Sequence, residues 1–354
     1  MTASNNTKTP KKAAVSQSVK GSFAFDMDSL IHVIQPSKSA DGSFQIILPV
    51  FNTQVSVKAF PGSKNLTDNA LTQALIELRE LAMEFELSLS RTRKTSEITR
   101  LNDARGQAVE LSARTIDLLD KSRFYCEASR GVFDITMGIV TPLWDFHEGI
   151  IPREEDLSEA LKHVDWRMLE VDKEHNTARL ADPVARVDLG GIAKGYIADA
   201  FADLLKEHGC DCAFVNLGGN VLTIGSRPDG TSWRIGVRDP AHPEQLRAVV
   251  QASSMSVVTS GLYERNFTKD GVFYHHILDP KNGMPVETDI GGATILSKKS
   301  LDGDGFSTTL FALGIKNALE FVEERENLEA LIIGLDGSVH MTQGIKSLVQ
   351  LVEV

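Results

Sequence analysis

The sequence predicts an α+β protein, a mixed β-sheet core with covering helices. Segments whose apolar residues recur at steps of three and four are separated by single strands and by hairpin-like strand pairs, not by the strict strand–helix alternation of a parallel fold. No repeat of fixed period runs along the 354 residues, which removes solenoid architectures. The content of 42% hydrophobic and 24% charged residues is that of an ordinary globular chain, long enough for one large domain or two.

Residues 1–22, rich in Ser, Thr, Lys and Asn with little to bury, read as a disordered tail, and 23–45 as an irregular N-terminal extension. The β-branched run over 44–60 reads as strand, interrupted near Pro49. From Asp68, Leu71, Leu75, Leu78, Ala82 and Phe85 form one helical stripe that ends before the polar run RTRKTSE. Ser112 can cap a second helix that stops at Gly131 and packs through Ile116, Leu119 and Phe124. A short helix over 156–163 leads to strands at 168–171 and 178–187, and a helix over 191–208 ends at Gly209. Strands follow at 212–215, 233–237, 247–252, 257–260, 273–278 and 292–296, then a long helix over 304–325 and strands at 330–334 and 348–352.

Composition excludes several roles. With 37 Lys and Arg against 48 Asp and Glu, the net charge is −11, and no basic stripe is available to neutralise a nucleic-acid backbone. No run of about 18 apolar residues can form a membrane-spanning helix. The polar N-terminal segment lacks the apolar centre of a secretory signal, and Cys126, Cys210 and Cys212 form no disulfide framework, so the expected location is cytoplasmic. Cys210 and Cys212 are two ligands at most, too few to close a metal site.

The segment VDLGGIAKGYIADAF (187–201) joins a strand end, a Gly190–Gly191 pair and a helix start. Glycine lets backbone approach a ligand, the uncapped helix end favours an anion, and Lys194 can add a positive charge, so a phosphate or diphosphate is one guest and a plain structural turn is the other reading. In SLDGDGFSTTLFALG (300–314), a helix beginning at Asp304 would put Asp304 and Thr308 on one side with Ser307 beside them. Those hard oxygen donors suit Mg²⁺, or Asp304 only caps the helix; the spacing leaves Asp302 as an alternative ligand. In YHHILDPKNGMP (274–285), His275 and His276 face opposite ways if extended, and an imidazole titrating near neutrality can accept a hydroxyl proton. Asp279 belongs to turn chemistry. GVFDITMG (131–138), NLGGN (216–220) and TSGLYER (259–265) carry further candidate contacts, each also readable as a cap or turn.

Taken in order, SEITRLN, GVFDITMG, DLGGIAKGY, NLGGN, TSGLYER, HHILDPKNGMP and DGDGFSTTLFALG resemble the ApbE family of FAD:protein FMN transferases, from about Phe51 to the C-terminus. The resemblance implies an ApbE-like, T-fold-like domain over 46–354. It also implies an enzyme that takes FAD as substrate with Mg²⁺, attaches FMN through a phosphoester to a Thr or Ser hydroxyl of a target flavoprotein, and releases AMP. Position by position it implies His276 as the base, and Gly191, Asp304, Ser307 and Thr308 around the metal. Phe51, Val132, Phe133, Asp134, Asp188, Lys194, Thr259, Ser260, Arg265 and Asp279 would contact the flavin nucleotide. Thr92 stands where the family often has an adenine-stacking Tyr, and Arg91 or Arg93 can offer a guanidinium plane instead. Leu262 stands where an acid is common. A Mg²⁺-dependent FAD pyrophosphatase, a non-catalytic FAD-binding protein and an interaction module are the alternatives.

Overall fold

The computed structural model describes residues 31–352. The expected tail and the first part of the extension lie outside them. Strand β1 (Ser37–Lys38) pairs with the start of β2 (Phe44–Val50), which forms a hairpin with β3 (Thr53–Ala59). The extension thus ends in a strand pairing instead of irregular chain. Pro49 does not interrupt β2. It pairs with Gln54, and β1 reaches only Phe44 and Gln45, so Pro49 sits where the outer edge of β2 is free and its missing N–H costs no ladder bond. The break falls at Phe51 and Asn52, whose φ values of 58° and 54° make the two-residue turn that matches strand twist.

Helix α1 (Asp68–Leu89) is capped by Thr67, and its five expected stripe residues are all buried. A short α2 (Glu97–Asp103) and β4 (Val109–Glu110) lead to α3 (Ala113–Ala128), which is capped by Ser112 as its sequence predicts. Ile116 and Leu119 are buried, but Phe124 is 57% exposed: it lies on the outer side of α3, with its ring edge-on to Tyr125 and Phe306. After α4 (Glu154–Leu161) come β5 (Leu169–Asp172) and β6 (Thr177–Leu180). The expected longer strand stops at Leu180 because an Asp182–Pro183 turn follows.

Helix α5 (Ala193–Glu207) and the hairpin β7 (Ala213–Leu217) and β8 (Asn220–Ile224) form the centre. Strands β9 (Trp233–Arg238), β10 (Leu246–Ala252), β11 (Ser256–Gly261), β12 (Asn266–Lys269), β13 (Val272–His275) and β14 (Ile290–Ser297) follow. Helix α6 (Ser300–Glu323), β15 (Leu328–Gly334), β16 (Val339–Met341) and β17 (Val349–Leu351) complete the chain.

A nine-stranded sheet in the order β1-β2-β3-β7-β8-β11-β14-β15-β16 is the scaffold, and helices cover it as the α+β reading expects. All its neighbours pair antiparallel. Its interior strand β14 is buried at all eight positions because both faces are covered: Ile295 and Ala293 face α6, while Leu296 faces β9 and β10. On the helical side lie two cores. One gathers α3, α6 and β14, the other α1, α5, β2, β3 and β7, and Leu89, Ala193 and Tyr196 pack against both. Among the described residues no helix is long and apolar enough to cross a membrane.

Gly195, in the first turn of α5, lets α6 pass at backbone contact. A Cβ there would lie 2.4 Å from the Ser300 carbonyl oxygen, 2.6 Å from Asp304 Cβ and 2.8 Å from Leu301 Cα. Ala in place of Gly ordinarily stabilises an exposed helix by about 1 kcal/mol. Here Gly195→Ala should instead destabilise by about 1–3 kcal/mol, since backbone must move. A urea midpoint at or above that of the wild type would contradict this packing.

Candidate active site

The seam between the two helical-side cores opens as a cleft of about 400 Å³, within the range of small-molecule sites. The glycine turn and the acidic helix, 110 residues apart in sequence, meet on it. The turn is shaped by Asp188, whose Oδ1 accepts from Gly190 N (2.9 Å) and whose Oδ2 lies 3.2 Å from Arg91 Nε. Helix α5 starts at Ala193, two residues later than expected, and has no side-chain cap. Its Gly195 N–H donates to Asp304 Oδ2 at 2.8 Å, so α6 supplies the anion at this helix end. Lys194 Nζ donates to Gly190 O (3.1 Å) and stands 4.0 Å from Asp304 Oδ1.

Helix α6 begins at Ser300, a full turn before the expected start at Asp304. Its cap comes from Asp199 on α5, whose carboxylate accepts from Ser300 N (2.7 Å) and Leu301 N (2.9 Å). Burial pushes the Asp199 carboxyl up to about 6, against the pull of those two amides. Asp304 is therefore not a cap but a buried residue one turn into the helix, with Thr308 one turn further on the same side. Asp302, two residues away and hence on another face, accepts from Tyr125 Oη at 2.7 Å and does not line the cleft. Of the two acids, only Asp304 faces the cleft.

Of the remaining expected metal neighbours, Thr308 lines the cleft and Gly191 is wedged beside it. A Cβ on Gly191 would lie 3.0 Å from Phe133 Cε2 and 3.8 Å from Thr308 Oγ1. Ser307 is a layer behind: its hydroxyl pairs with Ser260 Oγ (2.8 Å), and Ser260 reaches the cleft. Among the described residues no three His, Cys, Asp or Glu gather as a metal cluster.

Phe51, Val132, Phe133, Lys194, Thr259 and Arg265 line the cleft as expected. Asp134 lines it too, but both carboxylate oxygens are occupied, Oδ1 by Thr136 N (2.7 Å) and Oγ1 (2.6 Å) and Oδ2 by Trp166 N (3.1 Å); it caps the loop it lies in. Asp279 does not reach the cleft. Its Oδ1 accepts from Lys281 N (2.9 Å) inside the hairpin turn, and its neighbours Leu278 and Pro280 form the wall.

The two histidines are separated as an extended segment requires, although β13 ends at His275. His275 is buried, with Nε2 3.1 Å from Val286 O and its ring edge-on to Phe311. His276 faces the cleft. Burial, reinforced by the charge of Arg265, pulls its imidazole down to about 4, so it is neutral at pH 7. Its backbone N donates to Arg265 O, and its Nε2 faces Glu264 Oε2 at 3.9 Å.

Glu264 escaped the sequence reading. Leu262, where an acid was looked for, packs against the apolar core, and the acid two residues on turns into the cleft. Burial pushes the Glu264 carboxyl upward, while Lys194 and Arg265 hold it down. Arg91 and Thr92 form the wall beside Phe51, whereas Arg93 pairs with Glu86 at 3.0 Å. Asn220, from the NLGGN segment, is a further lining residue that the reading left unassigned.

The ApbE family model matches residues 51–332. The chain belongs to the ApbE family. It is 36% identical over 298 residues to the FAD:protein FMN transferase of Treponema pallidum (strain Nichols), covering 79% of this chain and 82% of that protein. The enzyme of the same name from Klebsiella pneumoniae (strain 342) is 33% identical over 270 residues, 75% of this chain and 83% of that one. Among solved structures, the ApbE protein of Thermotoga maritima superposes with a TM-score of 0.78 at 28% identity, covering 86% of this chain and 99% of its own. The flavin transferase ApbE of Vibrio cholerae gives 0.76 at 25% identity, with the same coverages. The chain is accordingly an enzyme of the transferase class, and its α+β fold is the fold of its family.

Proposed function

We propose that this protein is a Mg²⁺-dependent FAD:protein FMN transferase that joins FMN through a phosphoester to a Thr or Ser hydroxyl of a target flavoprotein and releases AMP. The observation that carries this reading is the meeting of the 188–195 turn with Asp304 and Thr308 on one wall of a cleft whose other wall presents a neutral histidine. The names of the relatives supply the substrate. We further place the reaction in the cytoplasm, in keeping with three buried free thiols.

The residues fit the metal. Asp304 Oδ2 is taken by Gly195, whereas Oδ1, 4.0 Å from Lys194 Nζ, accepts no hydrogen bond among the described residues; with the Thr308 hydroxyl this makes a small set of hard oxygen donors. Mg²⁺ is ordinarily held by one or two carboxylates and completed by substrate phosphates, so a three-acid cluster is not needed. When bound, the ion would neutralise charge on the diphosphate as its P–O bond changes.

The protein residues do the rest. Lys194 and Arg265 bring positive charge to the anion, and Phe133 and Ile277 wall the cleft against water. His276 accepts the proton of the acceptor hydroxyl, a poor nucleophile until then. Glu264, across from Nε2, stabilises the imidazolium that results. Water in place of the acceptor would make the same machinery a FAD pyrophosphatase.

Mass spectrometry of an acceptor protein incubated with enzyme, FAD and Mg²⁺ tests the reading: one FMN increment on a Thr or Ser is expected, with AMP released in step. AMP and free FMN without labelling would select the hydrolase, and a bound, unconsumed FAD the non-catalytic reading. His276→Ala should lower transfer by about 10²–10⁴-fold with FAD binding nearly intact. Asp304→Asn should lose Mg²⁺-dependent activity and Asp302→Asn should keep it; the reverse result would move the ion to Asp302. The pH profile follows from sign. A base with its pKa lowered to about 4 stays available above that value, so the acid limb of kcat/KM should fall near pH 4 instead of near 6.5. Since the folded value lies below the unfolded one, His276 also makes stability fall as pH drops from about 6.5 to 4.

A further inference from the structure

We propose that Asn220 reads the substrate: its side-chain amide hydrogen-bonds the edge of a heterocyclic ring of the nucleotide in the cleft. The inference rests on the flavin-nucleotide reading of that cleft and adds a contact that determines which ligand fits. Asn220 is the first residue of β8, set by the Gly218–Gly219 turn, whose φ values of 59° and 105° only glycine adopts without strain. The residue is 3% exposed and lines the cleft, yet its Nδ2 is closed off from solvent and meets no hydrogen-bond partner.

A buried donor without an acceptor is a standing cost to the free protein, and such groups call for a functional explanation. Six buried side-chain atoms of the described residues are in this state, and only two belong to residues of the cleft: Nδ1 of the base His276, and Nδ2 of Asn220. Asn220 carries no charge and therefore adds little to holding a diphosphate, a task that falls to Lys194 and Arg265. A primary amide offers donors beside an acceptor, which is the complement of a ring edge with an acceptor beside a donor, as adenine and isoalloxazine both have. The terminal torsion of Asn is broad and two-fold, so the amide can swing toward such an edge at little cost.

The test uses the apolar near-isostere Asn220→Leu in a His276→Ala background, so that no FAD is consumed, with FAD binding followed by flavin fluorescence in the presence of Mg²⁺. About tenfold weaker FAD binding is expected, the loss of one good hydrogen bond, with a ligand-free melting temperature equal to or above that of the parent. Competition by AMP and by FMN separately identifies the ring, because only the fragment that carries it should weaken to match. Unchanged FAD affinity would overturn the proposal. So would a loss of stability shared by Asn220→Leu and Asn220→Ala, which would make the amide structural. If the His276→Ala parent itself bound no FAD, the flavin reading would fall and this inference with it, an outcome distinct from equal binding by parent and variant.

Discussion

The site depends on a reciprocal clamp between two helix starts. Asp304 of α6 accepts the Gly195 amide in the first turn of α5, and Asp199 of α5 accepts the first two amides of α6. Each helix therefore ends its unpaired N–H groups on a carboxylate carried by the other, and each carboxylate sits at the positive end of a helix dipole. Neither acid could be buried on its own account. Both belong to a helix pair whose crossing is so close that only glycine fits at 195. One oxygen of Asp304 is fixed by the clamp, and that leaves the other aimed at the cleft with a defined position.

The charge of the chain and the charge of its cleft are separate matters. A surplus of acids gives the molecule a net charge of −11, yet the cleft wall sets Arg91 against Asp188 and Lys194 near Asp304. Such pairs hold the long basic side chains in place at the cleft wall. The field that a substrate meets is set within about one Debye length, roughly 8–10 Å, so the distant acidic surface has little weight there.

Much of the fold was legible because it rests on local rules. The stripe of α1 and the Ser112 cap of α3 are written within one or two turns of sequence, and the structure keeps them, while α3 ends at Ala128, three residues short of the expected stop, and the left-handed turn after it begins at Arg130 before Gly131. What misled was long-range. The start of α6 was placed a turn late, at Asp304; the acid that accepts its first two amides is Asp199, about a hundred residues upstream and invisible to any local pattern. The pull of Pro49 toward a break failed because the neighbour of β2 is too short to reach it, and strand length beside a proline is not a property of the proline. Within the site, motif order brought most residues to one cleft, but Asp279 turned inward to its own hairpin and Glu264 took the place sought at Leu262, since a side chain leaving a turn is aimed by φ and ψ that spacing does not encode.

The cleft lies where it does because one helix belongs to two cores. Ala193 and Tyr196 of α5, with Leu89 at the end of α1, pack against both apolar clusters, so the helix is a shared wall and the clusters part in front of its N-terminus. Close packing then fixes the glycine turn from behind, while in front no apolar side chain closes the gap and polar groups from both halves are left facing one another. Val132 and Phe133 come from one core's side, Phe51 and Phe85 from the other, and His276 arrives on the chain leaving β13. The seam therefore presents charged and polar groups at its centre, around the clamped helix starts, with an apolar wall from each core on either side.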